Sequence, residues 1–261
     1  MVAPERFYLG TDRVTWLASL DVPLFISHRT LQGRRTFPRA RAPWALDSGG
    51  FTELDTYGCW VTSPDEYVHA VRRYRDEVGM LAWASPQDWM NEPKMLARTG
   101  LTVAEHQRRT VENYLALRSL DSTLPFIPVL QGWERDDYLR CADLYERAGV
   151  DLAAQPLVGV GTVCRRQDTK PAEGIMRALS DRGLVLHGFG VKLAGLSRYG
   201  DAMASADSMA WSYRARSASL ERKAAGLPLP PCGKNSCNHC AHFALQWRAK
   251  ALHALALTHA A

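Results

Sequence analysis

Short apolar runs alternate along the chain with longer segments of helical periodicity. The runs are hydrophobic on both faces rather than on alternate residues, which is typical of strands buried in a parallel sheet. Eight of them are strand candidates, at residues 7–10, 23–27, 44–47, 80–84, 126–131, 152–160, 184–187 and 206–209. The pattern therefore predicts a parallel sheet with helices between its strands.

Helix start and stop signals lie between these runs. Ser63 precedes a proline and two acidic residues, and Thr102 begins a capping-box pattern. The segments that begin at residues 135 and 171 are followed by Gly149 and Gly183, which are typical helix stops. Residues 241–258 contain neither Gly nor Pro, so a closing helix is expected there.

Eight strands that alternate with helices predict a (β/α)8 TIM barrel over residues 1–225. The rival fold, a doubly wound open sheet, needs a glycine-rich phosphate turn after its first strand, and residues 7–12 have none. A proline-rich linker begins at Gly226, so residues 226–261 are expected to form a small separate segment with a helix packed on the barrel.

Composition adds modest constraints. The 46% hydrophobic content suffices for one large core, and the net charge of +5, from 32 Lys and Arg against 27 Asp and Glu, is mild. Short arginine pairs suit phosphate binding, although solvated helix faces explain such pairs more often. We expect a soluble cytoplasmic protein without membrane contact, because the N-terminus lacks the apolar core of a signal peptide and no run reaches transmembrane length.

The segment after the linker carries a cysteine cluster: Cys232, Cys237 and Cys240. In a chain without a secretion signal, such a cluster indicates metal binding before disulfides. A structural Zn²⁺ takes four ligands, and His242 is the best local candidate for the fourth, with His239 behind it. His253 and His259 lie roughly 19 and 28 Å from Cys240 along an unbroken helix, so they are poor alternatives.

In a TIM barrel, chemistry occurs at the carboxyl ends of the strands. The predicted strand ends, or the loops that follow them, carry Asp47, Asp88, Gln131, Gly159, Gly161, His187, Gly190 and Asp207. Any one of these residues has an ordinary turn explanation. His187 lies in an apolar strand and is expected to be a core residue rather than a catalyst.

These residues fall into motifs that resemble those of one enzyme family. Residues 47–51 read Asp-Ser-Gly-Gly-Phe, residues 128–132 end a strand in Gln-Gly, and residues 159–161 carry paired glycines. Residues 187–191 form another glycine-containing strand end, and Asp207 is followed by two arginines. In this order, across residues 44–240, the motifs and the cysteine cluster resemble the tRNA-guanine transglycosylases.

The resemblance implies that Asp207 attacks the anomeric carbon of the sugar and that Asp47 handles protons. Asp88 would accept from N1 and the exocyclic amine of guanine, and Gln131 and the Gly161 amide would donate to O6. The remaining expected base contacts are Ser48, Gly49, Gly50, Phe51, Gly132, Gly159, Phe189 and Gly190, with the glycines allowing close backbone approach. The expected phosphate contacts are Lys192, Arg214 and Arg216.

Thr52, Thr162 and Val163 replace residues usual at the motif edges, and together with the small size they favour the short DNA-modifying relatives. Those enzymes exchange guanine in DNA for a 7-deazaguanine such as preQ0 through a covalent glycosyl-aspartate. Two alternatives remain open at this point: the same exchange on tRNA, and a non-catalytic zinc-containing nucleic-acid-binding domain. Family members often pair, so a homodimer or a partner protein is also left open.

Overall fold

The computed structural model describes residues 6–163, 166, 168–228, 237 and 239–259. Its strands are β1 Phe7–Gly10, β2 Leu24–Ser27, β3 Trp44–Asp47, β4 Leu81–Ala84, β5 Val129–Leu130, β6 Val158–Val160, β7 Leu186–Gly188 and β8 Ser205–Ser208. Its helices are α1 Trp16–Ser19, α2 His28–Leu31, α3 Gly50–Tyr57, α4 Pro64–Val78, α5 Pro93–Thr99, α6 Val103–Leu120, α7 Arg135–Arg147, α8 Lys170–Ser180, α9 Leu193–Tyr199, α10 Ala210–Ala224 and α11 Ala241–His259.

Helix boundaries follow the local signals in the sequence. Ser63 accepts from the Glu66 backbone N–H while the Glu66 carboxylate accepts from the Ser63 N–H, a complete capping box at the start of α4. The Thr102 hydroxyl likewise accepts from the Glu105 N–H at 3.2 Å before α6. Gly149 lies just beyond α7 with φ +83, a left-handed conformation that suits glycine. These starts and stops confirm the predicted helices.

The eight strands form one parallel sheet in the order β4-β3-β2-β1-β8-β7-β6-β5. The two ends of this order meet at Ala84, whose N–H donates to Pro125 O at 3.0 Å and whose carbonyl accepts from Ile127 N at 3.1 Å. The sheet is therefore curled in the manner of a TIM barrel, as the alternation of strands and helices predicts. The open doubly wound sheet is excluded by this order.

Two strands, β5 and β6, are shorter than their apolar runs predict by several residues. β5 covers Val129–Leu130, where the run extends over residues 126–131. Pro125 and Pro128 have no N–H to donate to a neighbouring strand, so regular pairing begins only after them. β6 begins at Val158 because turns occupy the residues before it, including Pro156.

Large buried aromatic side chains connect the helices to the sheet. Trp44 Nε1 donates to Gly79 O at 2.7 Å, Tyr67 OH to Ser85 O at 2.9 Å, and Trp211 Nε1 to Gly10 O at 2.7 Å. Each of these polar groups is thus satisfied by a backbone carbonyl while the ring contributes apolar area to the core. The tethers at Gly10 and Ser85 also hold the backbone at strand ends.

The last helix packs on the barrel near the start of β1. The Trp247 ring lies 5.7 Å from the Phe7 ring, and Arg6 Nη2 donates to Leu255 O at 3.3 Å. The predicted closing helix is confirmed, and it is continuous over α11. None of the helices in the described ranges is long and apolar enough to cross a bilayer.

A test of the β1–β8 packing uses Gly10, where a Cβ would lie 2.9 Å from the backbone of Ser208 and Met209. Since neither backbone atom can move aside without disturbing β8, Gly10→Ala should lower the free energy of unfolding by about 1–3 kcal/mol. Gly174→Ala in α8, where a Cβ meets nothing within 4 Å, is the matched control and should be neutral or stabilising. Urea denaturation measures both, and equal effects would contradict the close packing.

Candidate active site

A cleft of about 350 Å³ opens at the carboxyl ends of the strands. All eight strand ends contribute to its lining, through Gly10, Ser27, Asp47, Ser85, Gln131, Gly161, Gly190 and Asp207. Asp88, from the loop after β4, lines the same cavity, and Asp12 and Glu92 add two further carboxylates to its wall. The fold thus brings the two predicted carboxylates of β3 and β8 to one rim.

Asp207, in β8, is held by one of its oxygens. Oδ1 accepts from the Gly190 N–H at 3.0 Å and from His187 Nε2 at 3.3 Å. Within the described residues no hydrogen bond reaches Oδ2, while the residue lines the cleft. One carboxylate oxygen is therefore fixed and the other is available to an electrophile in the cavity.

His187 contacts Asp207 from the interior of the barrel. Its ring is fully buried against Trp83, at 4.5 Å between ring centroids, and against Phe189 at 4.9 Å. With the Nε2 proton directed at Asp207, the other ring nitrogen accepts from the Ser205 hydroxyl at 2.8 Å. His187 is buried, as expected of a core residue. The structure adds a contact between its ring and the Asp207 carboxylate.

Asp47, at the end of β3, lies in a different environment. Its Oδ2 accepts from the Gly49 N–H at 3.1 Å. Burial raises the pKa of Asp47 to about 7, and the negative charges of Asp88 and Asp207 push it in the same direction, against a hydrogen bond from Ser27. Near neutral pH this carboxyl group is populated both with and without its proton, as a group that transfers protons requires.

Asp88 is oriented by two side-chain donors. Ser48 Oγ donates to Oδ1 at 3.4 Å, and Gln131 Nε2 donates to Oδ2. Burial raises the pKa of Asp88 to about 6, and these two hydrogen bonds oppose the increase. Above that pH the group is an acceptor, and a carboxylate has lone pairs left for further donors.

Gln131 lies across the floor of the cleft between Asp88 and Thr162. Its Oε1 accepts from Thr162 Oγ1 at 2.5 Å, and its backbone oxygen accepts from Gln107 Nε2 at 2.7 Å. A Cβ on Gly161 would overlap the Gln131 amide, which explains the glycine there. Thr162 itself has φ +60, a left-handed conformation that costs a β-branched residue roughly 1–3 kcal/mol.

The expected role of the Gly161 amide needs correction. Its N–H donates to Leu130 O at 3.0 Å as part of the β5–β6 pairing. Because an amide has one proton, this group is not available to the O6 atom of a base in this structure. Gln131 remains as the amide donor at that position.

Four further residues expected to contact a base stand behind the wall of the cleft. They are Ser48, Gly49, Gly132 and Gly159. Ser48 acts through Asp88, as described above. A Cβ on Gly49, which has φ +84, would lie 2.5 Å from Arg29 Cγ. The missing side chain at each of the three glycines makes room for neighbouring protein atoms, since a Cβ on Gly132 or Gly159 would meet Asp137 or the Phe189 ring.

The other expected contacts do line the cavity: Gly50, Phe51, Phe189 and Gly190. The Phe189 ring lies 5.9 Å from the Phe25 ring, and both face the cavity. They offer an apolar surface on which a planar base can stack. A Cβ on Gly50 would lie 2.9 Å from the Trp60 ring, so protein packing also requires this glycine.

The sequence profile of the family DpdA, DeoxyPurine in DNA protein A, matches residues 3–260. The chain belongs to the DpdA family. This family is implicated in modifying guanine in DNA by insertion of 7-deazaguanine and is related to the tRNA-guanine transglycosylases. The match supports the resemblance drawn from the motifs, and the description of the family names DNA. No protein of curated function matches the chain significantly.

In this member of the DpdA family, the expected phosphate contacts are exposed. Lys192 precedes α9, and Arg214 and Arg216 lie on α10, shortly after Asp207. Neither arginine forms an ion pair within the described ranges. Arg216 shares a shallow groove with Met209 and Tyr213, and Met209 also lines the cleft.

The cysteine cluster is described only in part, because Cys232 lies outside the described residues. Cys240 N donates to Cys237 O at 3.0 Å, so these two cysteines bracket a tight backbone turn. His239 Nδ1 lies 3.7 Å from Asp12 Oδ1, and His242 Nε2 lies 3.0 Å from Gln246 Nε2. Among described residues no three metal-binding side chains form a group. The zinc site and its ligand set remain a prediction.

Sequence reasoning missed several lining residues, of which Ser27, Phe25 and Thr162 are the most informative. Ser27 ends a predicted strand and could have been found by the same strand-end rule that singled out Asp47. Thr162 follows the paired glycines, but nothing in the sequence announces its left-handed backbone. The contact between His187 and Asp207 depends on the register of β7 with β8 and has no local signal.

The raised pKa of Asp47 predicts a pH-dependent gain in stability for Asp47→Asn. When the pKa of a carboxyl group is higher in the folded than in the unfolded protein, ionisation of the group destabilises the fold. The protein therefore loses stability as the pH rises from the ordinary pKa of an aspartate to about 7. The asparagine carries no charge, so at pH 8 the variant should be more stable by roughly 1–3 kcal/mol, and less so at pH 5.

Thermal unfolding at several pH values measures this difference. Asp136→Asn, at an exposed position on α7, is the matched control and should show no such trend. A gain for Asp47→Asn that is absent, or equal at pH 5 and pH 8, would contradict the proposed environment of the carboxyl group.

Proposed function

We propose that this protein exchanges guanine in DNA for a 7-deazaguanine such as preQ0 through a covalent glycosyl-aspartate on Asp207. Family membership implies DNA guanine modification. The observation that carries the finer proposal is the convergence of Asp47, Asp88 and Asp207 in one cleft, each with different hydrogen-bond partners. A non-catalytic binding domain has no need for three partly or fully buried carboxylates, because their desolvation is costly.

In the first step, Asp207 Oδ2 attacks C1′ of the deoxyribose. The C1′–N9 bond breaks, a C1′–O bond forms, and the electron pair of the broken bond remains on guanine. The Gly190 N–H and His187 hold Oδ1, so the carboxylate keeps one orientation during the attack. In the second step, N9 of the incoming base attacks C1′ and releases Asp207.

Asp47 balances the protons of the two steps. In its protonated form it donates to the departing guanine, and in its ionised form it takes the proton released by the incoming base. With a pKa of about 7, both forms are present near neutral pH. The enzyme ends each cycle in the protonation state in which it began.

Asp88 and Gln131 are proposed to read the base. The Asp88 carboxylate accepts from N1–H and the exocyclic amine, and Gln131 donates to O6. Phe189 and Phe25 supply the stacking surface, with Phe51 and Gly50 at the rim of the cleft. The target nucleotide must leave its stack to reach this depth. Lys192, Arg214 and Arg216 are proposed to contact the DNA phosphates on either side.

We also propose a structural Zn²⁺ held by Cys232, Cys237, Cys240 and His242. Cys237 N donates to Ser219 Oγ of α10 at 3.2 Å, so an ion here would fasten the start of α11 to the helix that follows Asp207. Native mass spectrometry should show one zinc per wild-type chain and none in Cys240→Ser. A zinc-free wild-type protein that folds normally would argue against this site.

Incorporation of labelled guanine tests the exchange. Wild-type protein should label DNA, and Asp207→Asn should lower the rate by at least about a thousandfold while the protein stays folded, because the nucleophile is lost. Asp136→Asn removes an exposed carboxylate and should label DNA normally. Denaturing electrophoresis should reveal a protein–DNA adduct that Asp207→Ala abolishes. Labelling of tRNA alone would refute DNA as the substrate, and an adduct that persists in Asp207→Ala would refute the nucleophile.

A further inference from the structure

We propose that Thr162 fixes the direction of the Gln131 side-chain amide, so that the cleft selects a 6-oxopurine-type base over its 6-amino counterpart. The inference rests on the proposed function, because it concerns the base held in the same cleft. Thr162 is a positioning residue in this scheme: Gln131 contacts the base, and Thr162 determines which of its two amide ends does so.

The backbone of Thr162 is the first indication. It is buried and has φ +60, where glycine is the favoured residue and a β-branched side chain is strained. Met80 is the one other non-glycine residue with positive φ in the described ranges, and it is exposed. A strained threonine at the floor of the cleft is consistent with a side chain that has a specific task.

Hydrogen-bond direction shows what that task is. The Asn91 backbone N–H donates to Thr162 Oγ1 at 3.1 Å, and an N–H group can only donate. The single hydroxyl proton of Thr162 is then free to point at Gln131 Oε1, 2.5 Å away. The oxygen end of the amide therefore faces Thr162, and the NH₂ end faces Asp88 and the cavity.

A reversed amide would be opposed at both ends. Its oxygen would face the Asp88 carboxylate, where two acceptors repel each other, and the Thr162 hydroxyl proton would lose its acceptor. Without the hydroxyl, Gln131 Oε1 has no donor from residue 162, and Asp88 alone orients the amide. Thr162 thus supplies one of two constraints on the amide.

The orientation of the Gln131 amide matters because the other expected donor to a base carbonyl, the Gly161 N–H, is already hydrogen-bonded. The Gly161 N–H is bound to Leu130 O, so the second proton of Gln131 Nε2 is the donor left to meet a base carbonyl. A base with an amino group at position 6 would place donor against donor. Sites built around one hydrogen bond reject the mismatched partner strongly, since buried polar groups are left unpaired.

The probes are guanine and 2,6-diaminopurine, which share the 2-amino group and differ at position 6 and at N1, where only guanine carries a proton. Asp88 meets N1 in wild type and in the Thr162 variants alike, so the change in the ratio between them reports on position 6. Wild-type protein should prefer guanine at least about a hundredfold in kcat/KM for incorporation and in calorimetric affinity for the free base. Thr162→Val should reduce this preference by about tenfold or more, mainly through a higher KM for guanine. Thr162→Ser retains the hydroxyl and should keep the preference within about threefold.

Thr162→Gly separates selectivity from folding. It removes the strain together with the hydroxyl, and the relief offsets the loss of the acceptor for the buried Asn91 N–H, so its stability should lie within about 2 kcal/mol of wild type while its preference is lost as in Thr162→Val. A ratio of guanine to 2,6-diaminopurine that is unchanged in both variants would overturn the inference, whatever happens to the absolute rates. Equal binding of the two bases by wild type, or binding of neither, would overturn it as well.

The two proposals fail in different ways. Wild-type protein that binds guanine selectively but never incorporates it would contradict the exchange, while the calorimetric ratios would still decide the role of Thr162. Incorporation with an unaltered preference in Thr162→Val and Thr162→Gly would support the exchange and refute the positioning role.

Discussion

Bringing three carboxyl groups into one cleft costs free energy, because burial and like charge both oppose their ionisation. The fold offsets this cost with donors placed around each group. Asp207 has a backbone N–H and a histidine, Asp88 has a hydroxyl and an amide, and Asp47 has a backbone N–H beside Ser27. Much of the architecture at the strand ends, from the left-handed Gly49 to the buried His187, provides these donors.

The unequal distribution of donors separates the groups chemically. Burial outweighs hydrogen bonding for Asp47, whose pKa rises to about 7, and less so for Asp88, at about 6. Both pKa values are raised by burial, so the two groups differ mainly in their hydrogen-bond partners. The proposed assignment of proton transfer to Asp47 and base recognition to Asp88 rests on these partners, although both are aspartates on neighbouring parts of the sheet.

The sequence predicted the strands, most helix limits and the cleft carboxylates, because these depend on local signals: apolar runs, caps and polar residues at strand ends. It did not predict the tasks of the glycines. Gly49 and Gly132 were expected to face a base, but they make room for Arg29 and Asp137, which belong to other elements of the fold. The Gly161 amide was assigned to O6, yet strand pairing uses it. Such outcomes depend on register and side-chain packing, which a single sequence does not specify.

Neighbouring strands of the barrel do not share equal numbers of backbone hydrogen bonds. β8 is hydrogen-bonded to β1 on one side and β7 on the other, whereas β4 meets the segment before β5 through a single bridge at Ala84. A seam with few backbone hydrogen bonds opens locally at a lower free energy than the rest of a sheet. This seam lies beside Asp88 and Gln131, away from Asp207. Local opening at this seam would therefore widen the part of the cleft near Asp88 and Gln131 while leaving β8, which carries Asp207, paired on both sides.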